Sequence, residues 1–167
     1  MAGEKADVKI RRMVEADLPR VNEIDRLLFG QERVSTWPFS FESYWALYHP
    51  ELSFVAETEG MVVGFIVGTV VEEQHSQSVL RLRHTIAPPS QHRKVGWIDM
   101  IGIDPGYQRM EIGRGLGEAF YEECRRSAAV IRLIVRESDG RLRNFLASVG
   151  FKSSNLVIYE REYEHPV

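Results

Sequence analysis

This chain of 167 residues has one cysteine, a small net charge and no long apolar segment, and each of these features excludes a class of protein. The single cysteine, Cys124, cannot form an internal disulfide, which fits the reducing cytoplasm. The longest apolar stretch, residues 61–71, is far shorter than the roughly 20 residues of a membrane-spanning helix. A formal net charge of −3 argues against a nucleic-acid-binding surface. The first residues, MAGEKADVKIRR, lack the apolar core of a signal peptide. We therefore expect a cytoplasmic protein with neither a membrane nor a nucleic acid as its partner.

The composition is that of an ordinary globular protein, and its apolar residues follow two periods. The chain is 44% hydrophobic and 27% charged, and its length fits one domain over residues 1–167. Alternating apolar residues predict strands, and spacings of three and four predict helices. The first half is predicted to contain a strand at 8–13, a helix between Asp17 and Gly30, an aromatic helix within 40–50, and a hairpin of strands 52–57 and 61–73.

The second half alternates strands and helices. Residues 95–103 and 130–135 each predict a strand, and the helix between them carries an apolar stripe that includes Leu116, Phe120 and Cys124. A strand–helix–strand crossover in one sheet makes its two strands parallel. Asp139 and Gly150 have the residue types of a helix N-cap and C-terminal stop, and residues 151–163 predict one or two closing strands.

The segment GIDPGYQRMEIGRGLGEAF, residues 102–120, is typical of a strand end followed by a loop and a helix that bind phosphate. The first amides of a helix have no acceptor within the helix, and the helix dipole favours an anion there. Glycines let the backbone approach the ligand closely. Glu111 puts a carboxylate into this loop. We expect its side chain to point outward, paired with Arg109, Arg114 or a basic residue of 74–94. If the loop needs a positive φ at this position, Glu111 is strained.

This order of elements resembles the GNAT superfamily of acyl-CoA-dependent N-acetyltransferases. The resemblance is carried by EADLPRV, FVAETEGMVVGFIVG, IDMIGIDPGYQRMEIG and FLASVGF, in that order. In the family's loop pattern, Q/R-x-x-G-x-G/A, Gln108 fills the first place, Glu111 the first glycine place and Gly113 the second. The resemblance implies a single α/β domain with a mixed, mostly antiparallel sheet of six to seven strands and about four helices. It also implies that the parallel pair 95–103 and 130–135 is splayed. Within the superfamily, the arrangement is similar to that of protein N-terminal acetyltransferases of the ribosomal alanine type.

The resemblance implies that acetyl-CoA is the co-substrate and that the acceptor is a primary amine, either a peptide or protein N-terminus or a small amine. It implies no metal, and His75, His84 and His92 lack the spacing of metal ligands. Asp139 stands where the family places a residue that accepts from a pantetheine amide. The resemblance therefore implies that coenzyme A is held by Ile101, Gly102, Ile103, Gln108, Arg109, Met110, Glu111, Ile112, Gly113, Arg114 and Asp139, with a backbone amide of 101–103 facing the thioester oxygen.

The amine must lose a proton before it attacks, so a general base is useful. Asp99 is the first candidate, since the period of two places it on one strand face with Trp97, Ile101 and Ile103. Glu57 on the hairpin is the second candidate.

The resemblance leaves the acid unassigned, because Leu146 occupies the position where the family often has a tyrosine. Tyr159 is then the candidate donor to the thiolate, with water as the alternative. Glu111 and Leu146 also keep open a second interpretation, a degenerate module that binds coenzyme A or a protein partner without turnover. A homodimer remains open as well.

Overall fold

A computed structural model describes residues 7–30, 40–48, 50–73, 93–108 and 111–154. The chain divides into two compact units, Met1–Ile134 and Val135–Val167. The first unit contains the strands β1 (Lys9–Arg12), β2 (Leu52–Thr58), β3 (Met61–Glu73), β4 (Arg93–Ile103) and β5 (Val130–Arg132), and the helices α1 (Leu18–Phe29), α2 (Phe41–Tyr48) and α3 (Ile112–Cys124). The second contains α4 (Gly140–Ser148). One domain over residues 1–167 stays a prediction.

The predicted α/β architecture is confirmed, with a mixed sheet of five strands and four helices in the described residues. The sheet order is β1-β2-β3-β4-β5, in which the first four strands are antiparallel and β5 runs parallel to β4. Six to seven strands were expected from the family resemblance. Of the predicted closing segment 151–163, residues 151–154 form no strand, and the rest lies outside the described residues. The predicted strand 130–135 is shorter than expected, because β5 ends at Arg132.

The hairpin between β2 and β3 turns at Glu59 and Gly60. Both residues have positive φ, 51° and 76°, which is the backbone of a type I′ turn. A tight polar turn was predicted here, and the twist of such a turn matches that of the paired strands. Glu59 nevertheless occupies a region that glycine or asparagine prefers.

Both faces of the sheet are covered in the first unit. On one face, α1 and α2 bury a cluster that includes Ile24, Phe41, Tyr44 and Phe65. On the other face, α3 buries its predicted stripe against β2 and β3. Burying such side chains contributes roughly 1.5–3 kcal/mol each. The sheet is therefore the middle of three layers. No helix among the described residues is long and apolar enough to cross a membrane.

Candidate active site

The site is built around the segment from β4 to α3, beginning with the helix start. Glu111 is the N-cap of α3 and lies in the left-handed region, with φ 57° and ψ 10°. The first bond of the helix runs from the Gly115 amide to the Glu111 carbonyl at 3.1 Å. The amides of Ile112, Gly113 and Arg114 therefore have no acceptor among the helical residues. The Glu111 side chain makes no capping hydrogen bond to them.

The contrast with α4 is informative. There the Asp139 carboxylate accepts from the Leu142 amide at 3.0 Å, so the predicted N-cap is confirmed. At α3, the Glu111 side chain is exposed, as expected, and no ion pair joins it to Arg114 in the described part of the chain. Arg109 and the basic segment 74–92 lie outside that part. The α3 start thus presents first-turn amides that its own N-cap side chain leaves available to an anion.

A row of strand glycines seats α3 on the sheet. The residues of α3 that face the sheet recur every four positions: Ile112, Leu116, Phe120 and Cys124, all buried. A Cβ on Gly64 would lie 3.1 Å from Ile112, one on Gly68 2.8 Å from the Phe120 ring, and one on Gly96 2.2 Å from Cys124 Sγ. Their missing side chains let the helix approach closely, which fixes where its N-terminus lies.

An ion pair holds the turn before α3. Asp104 follows β4, and its carboxylate accepts from the Gly106 amide at 2.8 Å and from the Arg20 guanidinium. Arg20 extends from α1 and also donates to the Val62 carbonyl at 3.1 Å. A guanidinium that bridges helix, strand and loop restrains the loop from the opposite face of the sheet. Arg20 and Asp104 were not predicted to pair, because nothing in the local sequence pattern links positions 84 residues apart.

Asp99 lies in a β-bulge of β4. The register with β3 passes from Val67–Met100 to Gly68–Ile98, so Asp99 is the extra residue. A bulge interrupts the alternation of side chains along the strand. Ile98, Ile101 and Ile103 pack on the α3 face, whereas Asp99 reaches α2 on the other face. The prediction that Asp99 shares a face with Ile101 and Ile103 is therefore wrong, because the period of two does not continue across the bulge.

The Asp99 carboxylate is held by a buried tyrosine. The Tyr44 hydroxyl on α2 donates to Asp99 Oδ2 at 2.7 Å. Tyr44 is fully buried, and its ring stacks on that of Tyr48 with centroids 5.4 Å apart. Burial, together with the adjacent carboxylate, raises the pKa of the Tyr44 hydroxyl far above its usual range. The sequence predicted only an aromatic helix within 40–50; the missed signal is that a buried tyrosine hydroxyl needs an acceptor.

The pairing of the two parallel strands ends close to Asp99. Pairing of β4 with β5 runs from Val95–Val130 to Trp97–Arg132 and stops there, while β4 continues to Ile103. The Arg132 guanidinium lies over the Trp97 ring, 5.9 Å from its centroid. In an antiparallel pair, alternate residues direct their amides away from the partner strand. Some amides of β4 beyond Trp97 therefore point toward the edge of the strand where β5 no longer pairs with it.

The other predicted site residues have different outcomes. The predicted second base, Glu57, accepts from Arg11 at 2.7 Å, and Arg11 also binds buried Asp17, so Glu57 belongs to a network that ties β1 to β2. Arg109, Met110 and Tyr159 lie outside the described residues. Leu146 lies on α4.

Neither a metal nor a reactive thiol is part of the described site. No group of three or more His, Cys, Asp or Glu side chains that could hold a metal occurs in the residues described. Burial raises the pKa of the Cys124 thiol, which keeps it protonated and unreactive.

Comparison with known proteins decides the family. A family model described as the Acetyltransferase (GNAT) family matches residues 18–151, which is most of the chain. The chain belongs to this family. The predictions of the GNAT fold and of an acetyltransferase class are thereby confirmed. No curated protein sequence matches this GNAT acetyltransferase significantly.

Solved structures similar to this GNAT acetyltransferase agree on the fold. The aminoglycoside N-acetyltransferase AAC(6')-Iy in complex with CoA superposes with a TM-score of 0.68 at 14% identity, covering 97% of this chain and 99% of that one. An aminoglycoside acetyltransferase from an uncultured soil metagenomic sample, in complex with sisomicin, gives 0.66 at 21% identity, covering 94% and 96%. Arabidopsis thaliana Naa50 with the bisubstrate analogue CoA-Ac-MVNAL gives 0.63 at 15% identity, covering 89% and 85%.

Proposed function

We propose that this protein transfers an acetyl group from acetyl-CoA to a primary amine by direct attack within a ternary complex. The observation that carries the proposal is the arrangement of one continuous segment. An aspartate at a strand bulge lies just beyond the paired part of β4 and β5, and the same strand leads into a helix whose first amides its N-cap side chain does not satisfy. Such an arrangement would supply a base and an anion-binding helix end on one strand–turn–helix unit.

The α3 start is the proposed seat of the diphosphate of coenzyme A. The backbone of Gln108, Arg109, Met110, Glu111, Ile112, Gly113 and Arg114 would surround it, as predicted from the sequence. The uncapped amides and the helix dipole both favour an anion at this end. When bound, acetyl-CoA would supply the acetyl group as a thioester. Asp139 caps its own helix, and its contact with a pantetheine amide stays a prediction.

Backbone amides of β4 are the proposed donors to the thioester oxygen. Ile101, Gly102 and Ile103 lie beyond the last residue that pairs with β5. Amides on that side of β4 are directed away from β3 and toward the space between the separated strands. A donor fixed by a β-sheet needs no reorganisation as the oxygen gains charge, which is how such donors lower a barrier.

Asp99 is the proposed general base. An amine attacks only in its neutral form, and a carboxylate can accept its proton directly or through a water. As the carbon–nitrogen bond forms and the carbon–sulfur bond breaks, that proton passes to Asp99 and the thiolate takes a proton from water or from Tyr159, the predicted donor. Asp99 is partly buried at the end of the paired region, so the carboxylate is held next to the thioester position proposed above.

The proposed acceptor is a peptide or protein N-terminus or a small amine. The similar structures carry acceptors of both kinds, since one was solved with sisomicin and another with an analogue that contains the peptide MVNAL. The aromatic helix α2 contributes Tyr44 to the Asp99 side of the sheet, which supports an acceptor position beside α2. The finer similarity to the ribosomal alanine type remains part of this proposal.

The proposal is tested by thiol release from acetyl-CoA with a panel of amines that includes sisomicin and the peptide MVNAL. The Asp99→Asn variant should lower kcat by about 10²- to 10⁴-fold, the usual contribution of a general base, while calorimetric acetyl-CoA affinity stays within about twofold. Glu42→Gln removes an exposed carboxylate of α2 and should leave kcat unchanged. A kcat of Asp99→Asn within twofold of wild type would refute the base assignment.

A non-catalytic coenzyme A module is the second candidate. Two observations favour it: Glu111 places a carboxylate beside the proposed diphosphate seat, and Asp99 Oδ2 is already engaged by Tyr44. This candidate predicts saturable binding of acetyl-CoA with no thiol release above the rate without protein for any amine. The enzymatic proposal predicts release that depends on the amine.

A further inference from the structure

We propose that Tyr44 is a positioning residue for the reaction: its hydroxyl holds the Asp99 carboxylate in the orientation from which it accepts the proton of the amine. The inference rests on the proposed role of Asp99 as base. The contact that carries it is the 2.7 Å hydrogen bond from the Tyr44 hydroxyl to Asp99 Oδ2, made across 55 residues of sequence between α2 and β4. Tyr44 itself is fully buried, so the proposed effect on the reaction passes through the Asp99 carboxylate that it contacts.

The bulge explains why such a restraint is needed. A regular strand fixes the direction of each side chain by its cross-strand register, but Asp99 is the residue that the register skips. A base must stay within hydrogen-bonding distance of the proton it removes, and a displacement of about 1 Å can lower a rate roughly 100-fold. A hydroxyl anchored in the core gives the Asp99 carboxylate a fixed partner outside the bulged strand.

The environment of Tyr44 makes it a permanent donor. Burial and the neighbouring carboxylate raise the pKa of the hydroxyl, so it stays protonated at neutral pH. Because it holds its proton so firmly, Tyr44 is unsuited to protonate the leaving thiolate. Its remaining role is to donate one directed hydrogen bond.

The ring is held independently of the hydroxyl. It packs in the core cluster of α1 and α2, with the Phe41 centroid at 6.1 Å and the Tyr48 ring stacked at 5.4 Å. Tyr44→Phe therefore keeps the packing of the aromatic ring and removes only the donor. This makes the substitution a direct probe of the hydrogen bond.

The test is a double-mutant cycle on kcat for thiol release, with acetyl-CoA and whichever amine of the panel gives the highest rate. Tyr44→Phe should lower kcat by about 10- to 100-fold, while its KM for acetyl-CoA stays within about twofold. In the Asp99→Asn background, the same substitution should change kcat less than about twofold, because Tyr44 acts only through Asp99. Tyr121→Phe, which removes an exposed tyrosine hydroxyl from α3, should stay within about twofold of wild type in both backgrounds.

Each other outcome overturns a specific statement. Equal losses from Tyr44→Phe in both backgrounds would mean a role in folding alone, and urea unfolding of the same variants would show the matching loss of stability. An unaffected Tyr44→Phe beside a strongly impaired Asp99→Asn would refute the positioning role and leave the base in place. An unaffected Asp99→Asn, or a protein that binds acetyl-CoA and acetylates no amine, would refute the proposed function and the inference with it.

Discussion

Glu111 is one of two residues other than glycine in the described part of the chain whose φ is positive, the other being Glu59. A non-glycine residue in the left-handed region costs about 1–3 kcal/mol and persists where the surrounding structure requires it. A positive φ was expected to strain Glu111, and its φ is 57°. This backbone turns the chain into α3 while the carboxylate stays exposed.

We predict that Glu111→Gly tightens acetyl-CoA binding, because the carboxylate that repels the diphosphate is removed. The same substitution should raise the free energy of unfolding by about 0.5–1 kcal/mol, because glycine adopts this backbone without strain. Glu59→Gly is the matched control, since Glu59 has a φ of 51° in the β2–β3 turn. It should stabilise the protein similarly and leave binding unchanged. Glu111→Gln removes the charge but keeps the side chain, which separates repulsion from backbone strain. Calorimetric binding by Glu111→Gly that is unchanged or weaker would contradict the account.

Asp17 couples stability to acidic pH. The hydrogen bond from Arg11, which outweighs the opposing effect of burial, holds the pKa of Asp17 below its usual range. A carboxyl whose pKa is lower in the folded state stabilises the protein above about pH 4, and this contribution disappears as the pH falls further. We predict that Asp17→Asn loses about 1–3 kcal/mol at pH 7 in urea unfolding and shows a shallower loss below pH 4.

An exposed pair provides the control for Asp17. Glu122 Oε2 and Arg125 Nη2 are 2.7 Å apart, and the two side chains are 58% and 64% exposed. Surface pairs of this kind contribute about 0–1 kcal/mol, so Glu122→Gln should leave both the stability and its pH dependence nearly unchanged. Identical acid profiles for wild type and Asp17→Asn would show that this carboxyl does not carry the effect.

The proposed site lies on the paired strands β3 and β4, and among the described glycines Gly68 on β3 has the least room for a side chain. A Cβ at this position would lie 1.9 Å from the Trp97 carbonyl oxygen and 2.8 Å from the Phe120 ring. Neither a backbone carbonyl nor a buried ring can move away without disturbing the bulge and the seat of α3.

We predict that Gly68→Ala lowers the free energy of unfolding by more than about 3 kcal/mol, measured in urea, since overpacking here involves backbone as well as side chains. Gly117→Ala is the control on α3, because no other atom lies within 4 Å of its added Cβ. This substitution should stabilise the protein by about 0.5–1 kcal/mol, as alanine does in a helix interior. A Gly68→Ala protein as stable as wild type would mean that β3 and β4 pack less closely than described.

Strands and helices were predictable wherever a regular period continued. The stripe of α3, the hairpin and the direction of β5 all follow from such patterns. The face of Asp99 was predicted wrongly because one inserted residue reverses the alternation, and no residue type marks the insertion. The pairs Tyr44–Asp99 and Arg20–Asp104 were missed because their members lie on different elements, where only the folded chain brings them together.

For the molecule as a whole, the order of elements was the strongest signal. Four short segments in their family order predicted a fold that the family match and the solved structures both support. The acceptor was not predictable in the same way. Its specificity depends on the shape and charge of a surface assembled from separate parts of the chain, and the same fold accommodates an aminoglycoside in one similar protein and a peptide-containing analogue in another.

The central claim is that the first amides of α3 bind the diphosphate of acetyl-CoA. A calorimetric titration of the wild-type protein with acetyl-CoA tests it most directly. The account predicts saturable binding at one site per chain, with coenzyme A competing for the same site. Absence of saturable binding at millimolar acetyl-CoA would contradict it, even though the fold would stand.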